Sequence, residues 1–248
     1  MKKKISILVT FAVFFVSGME THAVFASEII QSRFGNVTLN IPNPSNLCRL
    51  KNSGGERERQ TLEMNKKLQK QQGNKLLAYW TDCDSQKQLR RPFGDAFLFN
   101  EWVIIGGALS GEPPQEKTFP QLTQKLFLKS MLKEFDNVDL DTLYSSATKK
   151  VNKDFDKVIP NYLDGSANLS EPINLGLLAV TDSIHIGSIF NVKIEPLGDR
   201  PVAAIFSSAL IKGVFVQYFF YSEYKNKSTI KTILSKAKFY SAKLTNVN

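Results

Sequence analysis

The chain has 248 residues, 42% of them hydrophobic, with 32 basic and 23 acidic residues and a net charge of +9. This length and hydrophobic content are enough for one sizeable core. The positive charge does not indicate a nucleic acid partner, because the sequence has no arginine-rich or aromatic-basic motif.

Residues 1–26 have the pattern of a secretory signal peptide. Lysines at residues 2–4 precede an apolar stretch over residues 5–16, which is shorter than the about 20 residues that span a bilayer. Small residues then allow cleavage between Ala26 and Ser27, or alternatively after Ala23. An uncleaved interfacial anchor is the other interpretation. A lipoprotein is not expected, because no cysteine closely follows the apolar stretch.

The mature chain, residues 27–248, is predicted to be a single domain that is periplasmic or secreted. Cleavage removes three lysines and Glu20, which leaves 29 basic and 22 acidic residues and a net charge of +7. Such a charge favours contact with an anionic envelope surface, and an unknown envelope protein is the other candidate partner. No later segment approaches membrane-spanning length, so no transmembrane segment is predicted in the mature chain.

Cys48 and Cys83 are the two cysteines, and both lie in the mature part. An even cysteine count in an exported protein favours a disulfide bond. A redox pair or metal ligands are the alternatives, but the two residues are far apart and lack a Cys-x-x-Cys motif or a histidine cluster. We therefore predict a structural disulfide that stabilises the fold by about 3–4 kcal/mol.

The first half of the mature chain predicts a hairpin, a surface helix and two further strands. Residues 29–41 form the hairpin, with its turn at Gly35-Asn36 and alternating apolar residues after it. Residues 56–72 are rich in charged residues and carry a thin apolar stripe, with Gly73 at the helix end. The elements that follow are a strand, a short helix or loop, and a second strand, over residues 75–82, 85–91 and 96–109.

The middle of the chain predicts two helices followed by two strands. Apolar residues spaced by four mark one side of a helix over residues 140–158, namely Leu143, Ala147, Val151 and Phe155. The other elements are a helix, a turn-rich loop and two strands, over residues 120–135, 161–171, 173–182 and 184–194.

The last quarter of the chain predicts a central β-hairpin. Residues 214–221 are apolar or aromatic at seven of eight positions, so both faces of this strand are expected to be covered. Lys212-Gly213 can turn the chain from a second apolar strand over residues 202–211. Together these strands are predicted to lie in the middle of a sheet.

A C-terminal amphipathic helix follows, with Ser228 as the expected N-cap. One face carries an apolar stripe that needs a sheet to pack on, and the other carries Lys231, Lys238 and Lys243. These lysines fit either a solvated helix face or a face that binds a membrane surface.

Two parts of the sequence resemble known families. Residues 34–42, Phe-Gly-Asn-Val-Thr-Leu-Asn-Ile-Pro, and the closing strand with its C-terminal helix resemble PsbP-like proteins. The segments Ile-Pro-Asn-Pro-Ser-Asn-Leu-Cys48 and Leu-Leu-Ala-Tyr-Trp-Thr-Asp-Cys83 resemble a family of uncharacterised exported proteobacterial proteins. The resemblance implies an α+β fold, a PsbP-like α/β/α sandwich in which helices cover both faces of a mostly antiparallel sheet. It implies no functional residue, and fold alone does not carry function.

His185 is the only histidine of the mature chain and the first candidate for chemistry. A Ser–His–Asp hydrolase would need it as the base, but the sequence lacks a Gly-x-Ser-x-Gly elbow. We therefore interpret His185 as a strand residue with local hydrogen bonds. Asp136, Asp139 and Asp141 lack calcium-loop spacing and are predicted to cap the helix that follows.

No cofactor, metal or catalytic residue is assigned from the sequence. The favoured hypothesis is a non-enzymatic binding or accessory protein of the cell envelope. The alternative is a periplasmic hydrolase whose site is not recognisable in the sequence.

Overall fold

The computed structural model describes residues 28–44, 46–91, 99–161, 166–195 and 198–248. The predicted signal peptide over residues 1–26 and its cleavage point at Ala26 and Ser27 lie outside these residues. Within them the fold is α+β, with ten strands and five helices.

The strands are β1 (Ile29–Phe34), β2 (Val37–Pro42), β3 (Leu47–Arg49), β4 (Asn74–Asp82), β5 (Glu101–Ala108), β6 (Ala167–Leu169), β7 (Ile173–Val180), β8 (Ile184–Ile194), β9 (Gly198–Ile211) and β10 (Val214–Glu223). The helices are α1 (Glu56–Gln71), α2 (Cys83–Leu89), α3 (Gln124–Asn137), α4 (Leu140–Val158) and α5 (Lys227–Asn246). Strands β1 and β2 pair as a separate hairpin, and the other eight form one sheet in the order β3-β4-β5-β10-β9-β8-β6, with β7 also paired to β8. Every pairing is antiparallel.

The predicted hairpin of β9 and β10 lies in the middle of this sheet, between β8 and β5. Its turn places Lys212 at φ 48° and Gly213 at φ 75°, the left-handed pair that suits two-residue hairpins. A Cβ atom on Gly213 would lie 2.9 Å from the carbonyl carbon of Phe119, so the turn needs glycine for space as well.

The main core lies on one face of the central strands. Side chains alternate along a strand, and on β10 the residues Val214, Val216, Tyr218 and Phe220 are almost completely buried. They pack with Phe34, Leu39 and Ile41 of the β1–β2 hairpin and with Ile233, Ala237, Tyr240 and Leu244 of α5.

The opposite face of β10 is only half-buried, at Phe215, Gln217, Phe219 and Tyr221. The expectation that both faces of this strand are covered is therefore confirmed on one face and met in part on the other. Leu62 of α1 and Leu89 of α2 belong to a second, smaller cluster with Tyr79 and Ile104.

Local details differ from prediction at three places. The N-cap of α5 is Asn226 rather than Ser228, because the Asn226 side chain accepts from the Ser228 backbone N–H at 2.8 Å. Part of the predicted loop over residues 161–171 forms the short strand β6. The expected apolar side of α4 is partly exposed, with Leu143 52% accessible.

The Sγ atoms of Cys48 and Cys83 lie 1.99 Å apart, at disulfide distance, as predicted. The bond joins the short edge strand β3 to the first residue of α2. Such a pair is compatible with an oxidising compartment. In the described residues, no helix combines the length and apolarity needed to cross a membrane.

Candidate functional site

Helix α5 is fixed at both ends, and its surface is therefore a defined part of the molecule. Asn226 caps the beginning, as described above. At the other end, Asn248 accepts from the Asn40 backbone N–H at 2.9 Å and donates to the Asn40 carbonyl at 2.7 Å. These bonds join the end of α5 to β2, while the buried stripe of the helix packs on the sheet.

The outer surface of α5 is strongly basic. The helix contains five lysines and no acidic residue. At 3.6 residues per turn, Lys236 and Lys243 lie on one flank of the outer surface, and Lys231 and Lys238 lie on the other flank. We call these the two lysine rows. Because α5 contains no acidic residue, nothing within the helix offsets the charge of the lysine rows.

Phe239 lies between the two lysine rows and is 63% exposed. Large aromatic side chains contribute most when they are buried, so an aromatic ring in this position is not explained by packing within the chain. The combination of an exposed ring and flanking lysines marks the outer surface of α5 as a candidate contact surface.

A cleft of about 190 Å³ opens beside Phe239. One wall belongs to α5, and the other comes from the segment around Asn43 and Pro44 and from the beginning of β5. The residues that line it are Asn43, Pro44, Asn46, Leu47, Glu101, Phe220, Lys236, Phe239, Tyr240 and Lys243.

The two lysines of the cleft differ in their partners. Lys236 Nζ lies 2.7 Å and 2.6 Å from the two carboxylate oxygens of Glu101, so this charge is neutralised. Lys243 Nζ donates to the Asn43 carbonyl at 3.1 Å. Among the described residues Lys243 has no acidic partner, and partial burial lowers its pKa from the ordinary lysine value.

Tyr240 also lines the cleft, and its side chain is packed into the core. Its ring is 2% exposed and packs against Tyr218 and Phe220, with ring centroids 5.4 Å and 5.7 Å away. Within the described part of the chain, its hydroxyl is buried and forms no hydrogen bond. Burial also raises the pKa of Tyr240 well above its ordinary value, so the hydroxyl stays protonated and can donate.

His185 lies elsewhere, in a buried polar cluster beneath α5. Its Nδ1 atom is 2.8 Å from the Ser207 hydroxyl, and its Nε2 atom is 2.9 Å from the Thr181 hydroxyl. In the same cluster, Ser183 Oγ lies 2.6 Å from Ser241 Oγ and accepts from the Tyr218 hydroxyl at 2.5 Å. The prediction of a locally hydrogen-bonded strand histidine is confirmed.

This cluster is not arranged for hydrolysis. His185 and Ser207 are 0% and 1% exposed, so no substrate reaches them while α5 stays in place. A catalytic triad also places a carboxylate on the second imidazole nitrogen, whereas here that nitrogen faces Thr181. Burial, with a smaller contribution from Lys238, lowers the pKa of His185 to about 4 and keeps the ring neutral.

The remaining predicted polar residues have structural roles. Asp139 is the N-cap of α4, where it accepts from the Asp141 and Thr142 backbone N–H groups at 3.1 Å and 3.3 Å. The capping prediction for the Asp136, Asp139 and Asp141 group is therefore confirmed at Asp139. Sequence reasoning did not find the cleft, although the phenylalanine at residue 239 between lysines was a visible signal.

The chain was also compared with known proteins. Nothing among protein-family models, curated proteins or solved structures matches it. The geometry of α5 and its cleft is therefore the basis for assigning a function.

Proposed function

We propose that the protein is an exported, non-enzymatic accessory protein of the cell envelope that binds an anionic surface with the outer face of α5. The observation that carries this proposal is the exposed Phe239 between the two lysine rows. The predicted signal peptide and the cysteine pair support an exported location, either periplasmic or secreted.

Charge and apolarity act together on this face. Lysines close to an anionic membrane surface contribute about 1 kcal/mol each, and this attraction weakens with salt. An aromatic side chain on the same face adds a contribution from burial at the headgroup boundary. Since α5 has no acidic residue of its own, nothing in the helix opposes this attraction.

We propose the PsbP-like α/β/α sandwich as the scaffold that presents α5. The packing of α5 against the main core and the packing of Leu62 and Leu89 with a second cluster support helices on both faces of the sheet. The resemblance of residues 34–42 to PsbP-like proteins supports the same arrangement. In this scaffold α5 is an outer layer whose exposed side is available for contact.

Vesicle sedimentation tests the proposal with the mature protein. We expect binding to phosphatidylglycerol vesicles and not to phosphatidylcholine vesicles. Binding should weaken between about 0.1 M and about 1 M salt, because the Debye length falls from about 10 Å to about 3 Å. Equal binding to both kinds of vesicle, or to neither, would overturn the proposal.

A matched pair of charge reversals locates the surface. Lys231→Glu with Lys238→Glu should weaken vesicle binding by more than tenfold, because two attractive charges become repulsive. Lys149→Glu with Lys150→Glu changes the net charge by the same amount at exposed positions on α4. Similar losses in the two double variants would show that total charge, and not α5, governs binding.

A further inference from the structure

We infer that the cleft beside α5 holds the charged group of a monoanionic amphiphile, with Lys243 as its polar partner and Phe239 against its apolar chain. The inference deepens the proposed function and rests on it, in that an anionic surface would supply the amphiphile. The shared chemistry is a singly charged carboxylate or phosphodiester attached to an apolar chain.

The charges of the cleft fit a monoanion. Lys236 is neutralised by Glu101, whose oxygens lie 2.7 Å and 2.6 Å from its Nζ atom. Lys243 then leaves one positive charge that has no acidic partner in the described part of the chain. A dianion such as a phosphate monoester would carry an uncompensated negative charge beside the Glu101 carboxylate, which disfavours it.

Lys243 lacks the counter-ion that a bound anion supplies. The Asn43 carbonyl accepts a hydrogen bond from Lys243 but carries no formal charge, so this partly buried ammonium has lost hydration without gaining a counter-ion. A bound oxyanion would supply that counter-ion.

The walls and size of the cleft indicate what is attached to the charge. Leu47, Phe220 and Phe239 are apolar wall residues, so a bare inorganic anion would leave them without contacts. The volume of about 190 Å³ is below the roughly 300 Å³ at which drug-sized sites begin. The cleft therefore accommodates the charged group and the first part of a chain, and the rest leaves over the exposed ring of Phe239.

Titration by NMR with four soluble probes tests this inference. Octanoate and dihexanoylphosphatidylglycerol carry a single negative charge and a chain, acetate has the charge alone, and octyl glucoside has the chain alone. We expect saturable shifts at Asn43, Phe239 and Tyr240 with octanoate, with the phosphatidylglycerol or with both, and none with acetate or octyl glucoside. The first two probes distinguish a free carboxylate from a lipid phosphodiester.

Variants assign the contacts. Lys243→Gln should weaken probe binding by about tenfold, the size expected for a hydrogen bond to a charged group. Lys149→Gln removes an exposed lysine of α4 and should leave probe binding unchanged. Thermal unfolding of each variant checks that the fold is retained.

Other results would overturn the inference. It fails if neither charged amphiphile binds, if acetate or octyl glucoside binds equally well, or if Lys149→Gln is as damaging as Lys243→Gln. If the protein binds vesicles through the lysine rows but no probe binds in the cleft, the inference is refuted and the proposed function is retained. Probe binding in the cleft without vesicle binding would refute the proposed function and identify a free amphiphile as the ligand.

Discussion

Arg90 Nε donates to Glu58 Oε2 at 2.8 Å, and the Glu58 side chain is completely buried although it is an acid. The same carboxylate accepts from the Lys51 backbone N–H at 2.5 Å and from the Gln86 amide at 3.3 Å. These bonds join α1, α2 and the chain that precedes α1. A buried carboxylate is tolerated here because each of its oxygens has a donor.

Gly54→Ala should destabilise the protein through Glu58. A Cβ atom at residue 54 would lie 1.8 Å from Glu58 Oε2, and the carboxylate can move away only by breaking the bonds that hold it. We expect a loss of about 2–3 kcal/mol in the free energy of unfolding, measured with urea. In a Glu58→Ala background the same substitution should cost almost nothing; additive losses would contradict the proposed contact.

Gly107→Ala should be much more harmful than Gly106→Ala, although the two glycines are neighbours on β5. A Cβ atom on Gly107 would lie 2.4 Å from the buried Phe34 ring, whereas on Gly106 the nearest atom is 3.3 Å away. We expect a loss of about 3 kcal/mol for Gly107→Ala from overpacking and less than about 1 kcal/mol for Gly106→Ala. Equal unfolding midpoints for the two variants would contradict this explanation.

His185 should make stability fall on acidification. Its pKa is about 4 in the folded protein and 6.5 in an ordinary histidine, so below pH 6.5 the unfolded chain takes up a proton that the folded protein does not. The contribution is complete above pH 6.5 and is lost as the pH falls towards 4. At 1.36 kcal/mol for each pH unit between the two pKa values, it amounts to at most about 3 kcal/mol.

Urea unfolding of the wild type and of His185→Gln at pH 7 and pH 4.5 measures this contribution. Carboxylates affect both proteins alike, so the wild type should lose more stability than the variant between these two pH values. An identical loss in both proteins would show that His185 does not carry the effect.

The Cys48–Cys83 bond should contribute about 4 kcal/mol, because the two residues are 35 positions apart and closing a loop of that length restricts the unfolded chain. Cys48→Ser with Cys83→Ser should therefore lower the free energy of unfolding by about that amount. Reductant should bring the wild type to the same midpoint and leave the double variant unchanged. Detection of two free thiols in the unfolded, unreduced mature protein would refute the pairing.

Predictions that depended on neighbouring residues agree well with the structure. The bounds of α4 match because Asp139 caps it locally and a helical pattern follows. The β9–β10 turn matches because Lys212-Gly213 can adopt the required left-handed conformations. A helix cap and a hairpin turn each involve residues within a few positions of each other, so the local sequence is enough to predict them.

Predictions that depended on distant residues were less accurate. The short strand β6 was missed because its three residues are too few to show a strand pattern in the sequence. They form a strand because they pair with β8. The exposure of Leu143 could not be anticipated, because an apolar stripe does not say how far the opposing surface extends. The incomplete burial of the second face of β10 has the same explanation.

The order of residues was by itself sufficient to indicate a cysteine pair, two β-hairpins and a lysine-bearing final helix, since each depends on short-range patterns. The export signal over residues 1–26 stays a prediction from the sequence. The order of residues could not indicate the cleft, because Asn43, Glu101 and Lys243 are separated by up to 200 positions and meet only when the sheet brings β2, β5 and α5 together. Tertiary packing also decided which groups stayed unsatisfied. Packing left the Phe239 ring exposed to solvent. Among the described residues it also placed no acidic side chain beside Lys243 and no hydrogen-bond partner beside the Tyr240 hydroxyl.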